Sequence, residues 1–188
     1  MISGRIPVNE TERLAKLRAL DILDTVEEEA YDDLTFLAAQ ICETPISLVS
    51  LIDQSRQWFK SHHGLEARET PRDYAFCGHA IHQDDLLIVE DTKLDSRFQD
   101  NPLVTGEPNI RFYAGAPLIL ENDIRVGTLC VIDREPKVLT EKQKSSLAAL
   151  SRQVVAQLNL KLKIREMAAL DKAKDEFLAM VSHELRNR

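Results

Sequence analysis

The chain has 188 residues, room for one domain of ordinary size and a further segment. Hydrophobic residues make up 44% and charged residues 29%, which excludes a compositionally disordered chain, and six Gly with seven Pro exclude a collagen-like repeat. The net charge of −7 divides into +2 over residues 159–188 and −9 over the other 158, so the body lacks the basic face that nonspecific nucleic-acid binding needs.

In chain order, Asn9 followed by Glu12 is a capping-box start, and Leu14, Leu17 and Leu20 line one helix face. Thr25 and Glu28 repeat the signature before Leu34, Leu37, Ala38 and Ile41, and Pro45 blocks continuation. Residues 46–52 (ISLVSLI) read as a buried strand and 57–61 (QWFKS) as its hairpin partner across the turn residues at 53–55. Thr70-Pro71-Arg72-Asp73 predicts a helix start, with the helix running to about His82. Residues 86–90 read as a strand and 96–101 as a short helical turn before a loop holding Pro102, Gly106 and Pro108.

The clearest hairpin joins 111–120 to 124–133. Pro117 inside its first strand predicts a bulge or an edge, because proline has no N–H for the ladder. Gly127 in its second strand marks a close approach of another backbone or a ligand. Thr140 with Gln143 starts a last helix that meets no breaker through Arg188 and would run roughly 70 Å. A domain of this size has a radius of gyration of roughly 15 Å, so that helix must leave the body. Leu160, Ile164, Met167, Leu178, Val181 and Leu185 fall on a heptad ladder that Asp171 and Lys174 interrupt. A homodimer through this C-terminal helix is the expected assembly.

Cys42, Cys77 and Cys130 are odd in number and widely spaced, and no CxxC occurs, so neither a disulfide framework nor a zinc ribbon is expected. No apolar run is long enough to span a bilayer and the N-terminus has no apolar signal region, so a cytoplasmic location is expected.

The last residues, FLAMVSHELRN at 177–187, put His183 beside Glu184 and one turn from Asn187. Val181 and Leu185 flank it on the seam, so His183 should face solvent. A solvent-facing imidazole keeps an unprotonated ring nitrogen at near-neutral pH, able to act as a nucleophile. A neighbouring carboxylate can fix the ring tautomer, and an amide one turn on can orient water. The segment resembles the phosphoacceptor box of sensor histidine kinases, the start of a dimerisation and histidine phosphotransfer domain. That resemblance implies His183 as phosphoacceptor, Glu184 as the acid–base assistant and Asn187 as the residue positioning water for phosphatase activity. Arg188 departs from it, standing where the family has Pro. By the same resemblance the chain would stop before the second helix and the ATP-binding domain, so ATP and Mg²⁺ are expected only with a kinase domain outside this chain. A response-regulator receiver domain is the implied partner.

The body, residues 9–158 after a tail at 1–8, resembles a GAF domain. The segments that carry the resemblance are ISLVSLIDQSRQWFKSHHGL, TPRDYAFCGHAI, IVEDTKLDSRF and IRFYAGAPLILENDIRVGTLCVID. The implied class is α+β, an antiparallel sheet flanked by helices, followed at 159–188 by a coiled-coil signalling helix. A pocket is expected between the sheet and residues 74–82 and 95–106, with Trp58, Phe76, Cys77, His79, Phe112 and Tyr113 as candidate lining. Its ligand is left open. A bilin-type attachment usually has His directly after Cys, whereas Cys77 is followed by Gly78. Cys77, His79 and His82 do not share one helix face, so no metal is expected.

Two functions follow. The leading one is the sensory and phosphoacceptor part of a two-component histidine kinase, with GAF-controlled phosphorylation of His183. The alternative is a non-catalytic ligand-binding and dimerisation module that regulates a partner. An enzyme on the fold itself, a sulfoxide reductase, would need an attacking and a resolving cysteine, and the sequence shows no evident pair.

Overall fold

The computed structural model describes residues 1–186; Asn187 and Arg188 lie outside the described residues. Six strands, β1 (Ile46–Ile52), β2 (Arg56–His63), β3 (Glu69–Pro71), β4 (Leu87–Val89), β5 (Phe112–Leu120) and β6 (Ile124–Asp133), form one antiparallel sheet in the order β3-β2-β1-β6-β5-β4. Helices α1 (Glu10–Leu20), α2 (Glu29–Cys42) and α5 (Glu141–Arg186) belong to one face, and the short α3 (Cys77–Ala80) and α4 (Pro102–Thr105) to the other. The expected fold class is observed. No helix among the described residues is long and apolar enough to cross a membrane.

Strand alternation builds two cores. From β1, Val49 and Leu51 join Leu17, Leu34, Val154 and Leu158 under the long helices, while Ile46, Leu48 and Ile52 join Phe76, Phe98 and Tyr113 on the far side. All seven residues of β1 are buried, which explains why it reads as a continuous apolar run rather than an alternating one. Gly127 lies opposite Leu51, and a Cβ there would stand 1.8 Å from the Ser50 carbonyl oxygen; the close approach is by the β1 backbone. Pro117 sits beyond the last β4 pair, Leu87 with Gly115, and next to a register shift at Leu118/Ile119. It occupies the sheet margin that its missing N–H requires.

Several local expectations change. The capping pair Thr140–Gln143 forms in both directions, Gln143 accepting from the Thr140 N–H at 2.9 Å and donating its own backbone N–H to Thr140 Oγ1 at 3.2 Å. The Asn9 and Thr25 pairs do not form. Asn9 makes no side-chain cap, and α2 starts only after Glu28, which makes none either; Thr25 instead donates to the Ile22 carbonyl and accepts from Lys60. Thr70 and Pro71 precede only a single 3-10 turn, Arg72–Tyr74, not a helix running to His82. They form the edge strand β3 against Gln57 and Arg56, where proline is tolerated, and α3 is only four residues long. Residues 96–101 form the expected turn, with the Phe98 and Gln99 N–H groups both on the Asp95 carbonyl at 3.0 Å; the loop expected after it holds α4, with Asn101 accepting from the Leu103 N–H and Pro102 in the first turn.

Two buried cations tie the helical layer to the sheet. Lys60 from β2 reaches the Val26 carbonyl at 2.6 Å and Glu28 at 2.5 Å, over the Tyr31 ring. Arg13 from α1 donates to the Ile52 carbonyl at 2.6 Å and to Glu10 at 2.7 Å, and Glu10 also pairs with Arg72. Both cations are satisfied by several acceptors, as burial of charge demands. Burial pushes the Glu10 carboxyl up, but the bonds and charges of Arg13 and Arg72 outweigh it and bring it down to about 2.

α5 divides into two parts. Leu147, Ser151, Val154, Leu158 and Leu162 are buried, whereas every residue from Lys163 to Arg186 except Val181 is exposed. Leu158→Ala should therefore lower unfolding free energy by roughly 2–5 kcal/mol in urea titrations, while Lys172→Ala, exposed and off the heptad seam, should stay within about 0.5 kcal/mol. The depressed Glu10 group contributes stability fully above its unfolded value near 4.5 and loses it as pH falls towards 2. Glu10→Gln should flatten the loss of stability across that window in urea midpoints measured at stepped pH.

Candidate functional site

The far face of the sheet carries the candidate site. Its floor is set by strand parity: Ile46 and Leu48 of β1, Phe59 of β2 and Ile132 of β6 all point there, joined by Ile110. The Gly64–Ala67 turn and the Leu103–Pro108 segment wall it, enclosing a cavity of about 420 Å³. Gly64 makes the wall possible: its φ is +71°, and a Cβ would stand 1.9 Å from the Pro45 carbonyl oxygen. The polar groups are few. Gln57 and Thr70 stand on one wall, and Glu66, Glu107 and Arg134 at the margin. A largely apolar cavity with a few polar groups is the usual form of a small-molecule site, and this volume lies in the usual range.

The sequence-predicted lining residues separate. Phe76, Cys77 and Tyr113 do meet on this face: the Phe76 ring stacks on Phe98 at 4.1 Å and lies 5.1 Å from Tyr113. His79 meets Phe98 edge-on at 4.9 Å, and its Nε2 bonds the Ile2 carbonyl at 2.9 Å. Trp58 and Phe112 lie on the opposite face, in the core under the long helices, because each has the other parity in its strand. The ring stack fills the space between the sheet and residues 74–82, and the cavity opens beside it, over β1 and β2. Sequence reasoning missed Gln57, Thr70 and Arg134. The signals for them were the parity of Gln57 with Phe59 and the glycine ending the β2 turn.

A buried polar chain runs from the cavity wall into the core. Gln57 bonds Thr70 at 2.7 Å and Ser50 at 3.0 Å. Ser50 lies beside the Cys77 sulfur, which also accepts from Thr128 at 3.1 Å and from Tyr113 at 3.3 Å, with the Cys130 sulfur 4.0 Å away. The Ser50 hydroxyl has one proton to give, and Gln57 Oε1 competes with the sulfur for it. Turning the Gln57 amide lets Thr70 donate to Gln57, Gln57 to Ser50 and Ser50 to the sulfur, so the chain balances in either orientation. Burial pushes the Cys77 thiol up, but the bonds from Cys130, Ser50, Thr128 and Tyr113 outweigh it and hold it below the usual thiol range. Its hydrogen bond to Cys77 and its own burial push Cys130 up, and burial keeps Tyr113 protonated as a donor. Among the described residues no cluster of His, Cys, Asp and Glu could hold a metal ion.

The second set of candidate residues lies on the exposed part of α5. His183 and Glu184 are both exposed there, well beyond the last buried position, Leu162. Asn187 falls outside the described residues.

A sheet with a helical layer on one side, a ligand-sized cavity on the other and a long C-terminal helix defines an α+β domain with room for a small molecule. The GAF domain family model matches residues 27–158, and the chain belongs to the GAF family. The chain is 41% identical over 160 residues to a cyclic di-GMP phosphodiesterase of Pseudomonas aeruginosa; the match takes in 85% of this chain and 27% of that protein. Its fold is similar to the GAF domain of PixJ from Thermosynechococcus elongatus in its blue-light-absorbing form, with a TM-score of 0.62 and 15% identity over 85% of this chain and 96% of that one. It is also similar to a domain assigned to a two-component sensor histidine kinase of Sinorhizobium meliloti, with a TM-score of 0.56 and 14% identity over 77% of this chain and 97% of that one.

Removing donors from the Cys77 sulfur should raise its pKa. Thr128→Val and Tyr113→Phe should each move the onset of ultraviolet thiolate absorbance to higher pH, with Cys42 as an internal reference that burial holds at about 11.

Proposed function

We propose that this chain is a ligand-responsive regulatory module whose output is carried by α5. The carrying observation is geometric. β1 and β6 present one set of side chains to the cavity and the alternate set to the helical core that grips α5. On β6, Ile132 faces the cavity and Val131 the core beneath α5; on β1 the pair is Leu48 and Val49. A ligand that displaces either strand also moves the seat of α5. The cavity suits a small molecule with a mainly apolar body and a polar end turned towards Gln57, Thr70 or the margin.

The output helix supports a dimer. Leu160, Ile164, Met167, Leu178 and Leu185 are all at least half exposed along one heptad register, a pattern that a second copy of the same helix would bury. Similar modules serve different outputs: the Pseudomonas relative is a phosphodiesterase, and the Sinorhizobium domain is assigned to a sensor kinase.

A second reading is favoured by one specific observation, the segment FLAMVSHELRN on that exposed helix. In it, the output is phosphoryl transfer. An unprotonated His183 nitrogen attacks the γ-phosphorus of ATP held with Mg²⁺ by a separate catalytic domain, and ADP leaves. The phosphoryl group then passes to an aspartate of a receiver domain. Glu184 would orient the ring, and Asn187 would position the water that hydrolyses the receiver's aspartyl phosphate to inorganic phosphate. The module reading and this one are compatible, since both place control in α5.

The ligand reading is tested by thermal-shift screening of small amphipathic metabolites. Hits should raise the melting temperature of the chain and lose that effect in Ala67→Trp, which fills the cavity rim. Hits that act equally on both proteins would place the site elsewhere. For the phosphoryl reading, incubation with labelled ATP and a histidine-kinase catalytic domain should give an acid-labile, base-stable label that His183→Ala abolishes. Persistent labelling of that variant would remove His183 as the acceptor.

A further inference from the structure

The three cysteines are unlinked in sequence, yet the fold brings two of them together. Cys77 begins α3 and Cys130 lies in the middle of β6, 53 positions apart, and their sulfurs stand 4.0 Å from each other. Both face the cavity-side core and are at most 2% exposed, whereas Cys42 lies on the opposite side of the sheet. Thr128 and Tyr113 aim hydroxyl groups at the Cys77 sulfur from neighbouring strands. This is an unusual setting for inert packing, since a small buried thiol ordinarily sits among apolar groups. Donors converging on one sulfur stabilise its thiolate, and the thiolate is the nucleophile.

We propose that Cys77 and Cys130 are a redox-active pair that a hydroperoxide converts into a buried disulfide. The Cys77 thiolate attacks the outer peroxide oxygen; the O–O bond breaks, the leaving oxygen takes a proton as water or an alcohol, and Cys77 becomes a sulfenic acid. The Cys130 sulfur then attacks the Cys77 sulfur, giving up its proton. The S–O bond breaks, and the departing hydroxide takes a proton as water. Two thiols are oxidised and one hydroperoxide is reduced. The sulfurs must close from 4.0 Å to roughly 2 Å. α3 is the element suited to move, being a single turn of helix. Its outer side is crossed by the N-terminal segment, held where His79 bonds the Ile2 carbonyl and His82 the Arg5 carbonyl, with Gly4 seated on Gly78. Local opening there admits a water-sized oxidant to the sulfur beneath.

Formation of the bond replaces the thiolate that Thr128 and Tyr113 donate to, and that Ser50 stands beside, with an uncharged, weakly accepting disulfide sulfur. Because Ser50 continues to Gln57 and Thr70, the oxidation state of the pair is read at the cavity wall.

The test treats the reduced, folded chain with hydrogen peroxide, alkylates under denaturing conditions and maps the peptides by mass. The expected product is a Cys77–Cys130 cross-linked peptide, two hydrogens lighter than its separate parts, with Cys42 alkylated and the cross-link reversed by dithiothreitol. In Cys130→Ser, Cys77 should be trapped as a sulfenic acid by dimedone with no cross-link. In Cys77→Ser, both the trap and the cross-link should disappear. Full alkylation of all three cysteines in the peroxide-treated wild-type chain overturns the proposal, as does a cross-link that involves Cys42. The wild-type map decides the matter even if either serine variant fails to fold.

Discussion

Everything in this domain hangs on the pairing of β1 with β6. These two strands lie at the centre of the sheet, and each is walled on both faces, so every side chain they carry must be accommodated by one core or the other. Their backbones come so close at Ser50 and residue 127 that only glycine leaves room, which fixes the register at that point. A slip of one residue would exchange the two faces, sending Ile132 and Leu48 under the helices and Val131 and Val49 into the cavity. The cavity, the thiol pair and the seat of α5 all follow from this one register.

In the proposed reading, that arrangement makes the sheet a two-sided transmitter. On the far side the side chains enclose a small apolar space and a hydrogen-bond chain reaching Cys77. On the near side the alternate residues of the same strands grip Leu147, Val154 and Leu158 of α5. Close-packed cores pass on small displacements because their side chains have few alternative places to go. In that reading α5 carries the displacement outward: every residue from Lys163 to Arg186 except Val181 is exposed, and Arg165 pairs with Asp21 at the foot of this half. The exposed apolar positions on that half are poorly suited to solvent and well suited to a second copy of the helix.

The buried charges hold the two layers in place at a different level. Lys60 and Arg13 reach backbone carbonyls as well as carboxylates, so each orders a segment of chain as well as a partner side chain. Arg13 fixes α1 to the end of β1, and Lys60 fixes the α1–α2 connection to β2. Both cations come from positions that the sequence presents as ordinary charged residues, and their burial is decided by the helices packed over them.

Much was legible in the sequence where a single element carried its own signal. The β5–β6 hairpin was written in two apolar runs joined by a polar turn, the start of α5 in the Thr140–Gln143 pair, and its length in the absence of any breaker. The heptad positions and the segment around His183 were equally local. What the sequence left undecided depends on which element covers which residue. Thr70-Pro71 has the chemistry of a helix start, and only the presence of β2 alongside makes it an edge strand. Trp58 and Phe112 have the character of pocket residues, but strand parity sends them to the other core. Cys77 and Cys130 are 53 residues apart and become neighbours only because α3 folds back across β6. Local preferences and hydrophobic periodicity are properties of neighbouring residues, so the sequence alone determined most of the elements and their order. Cavities, thiol pairs and buried charges are properties of surfaces brought together from distant segments, and the tertiary structure decided those.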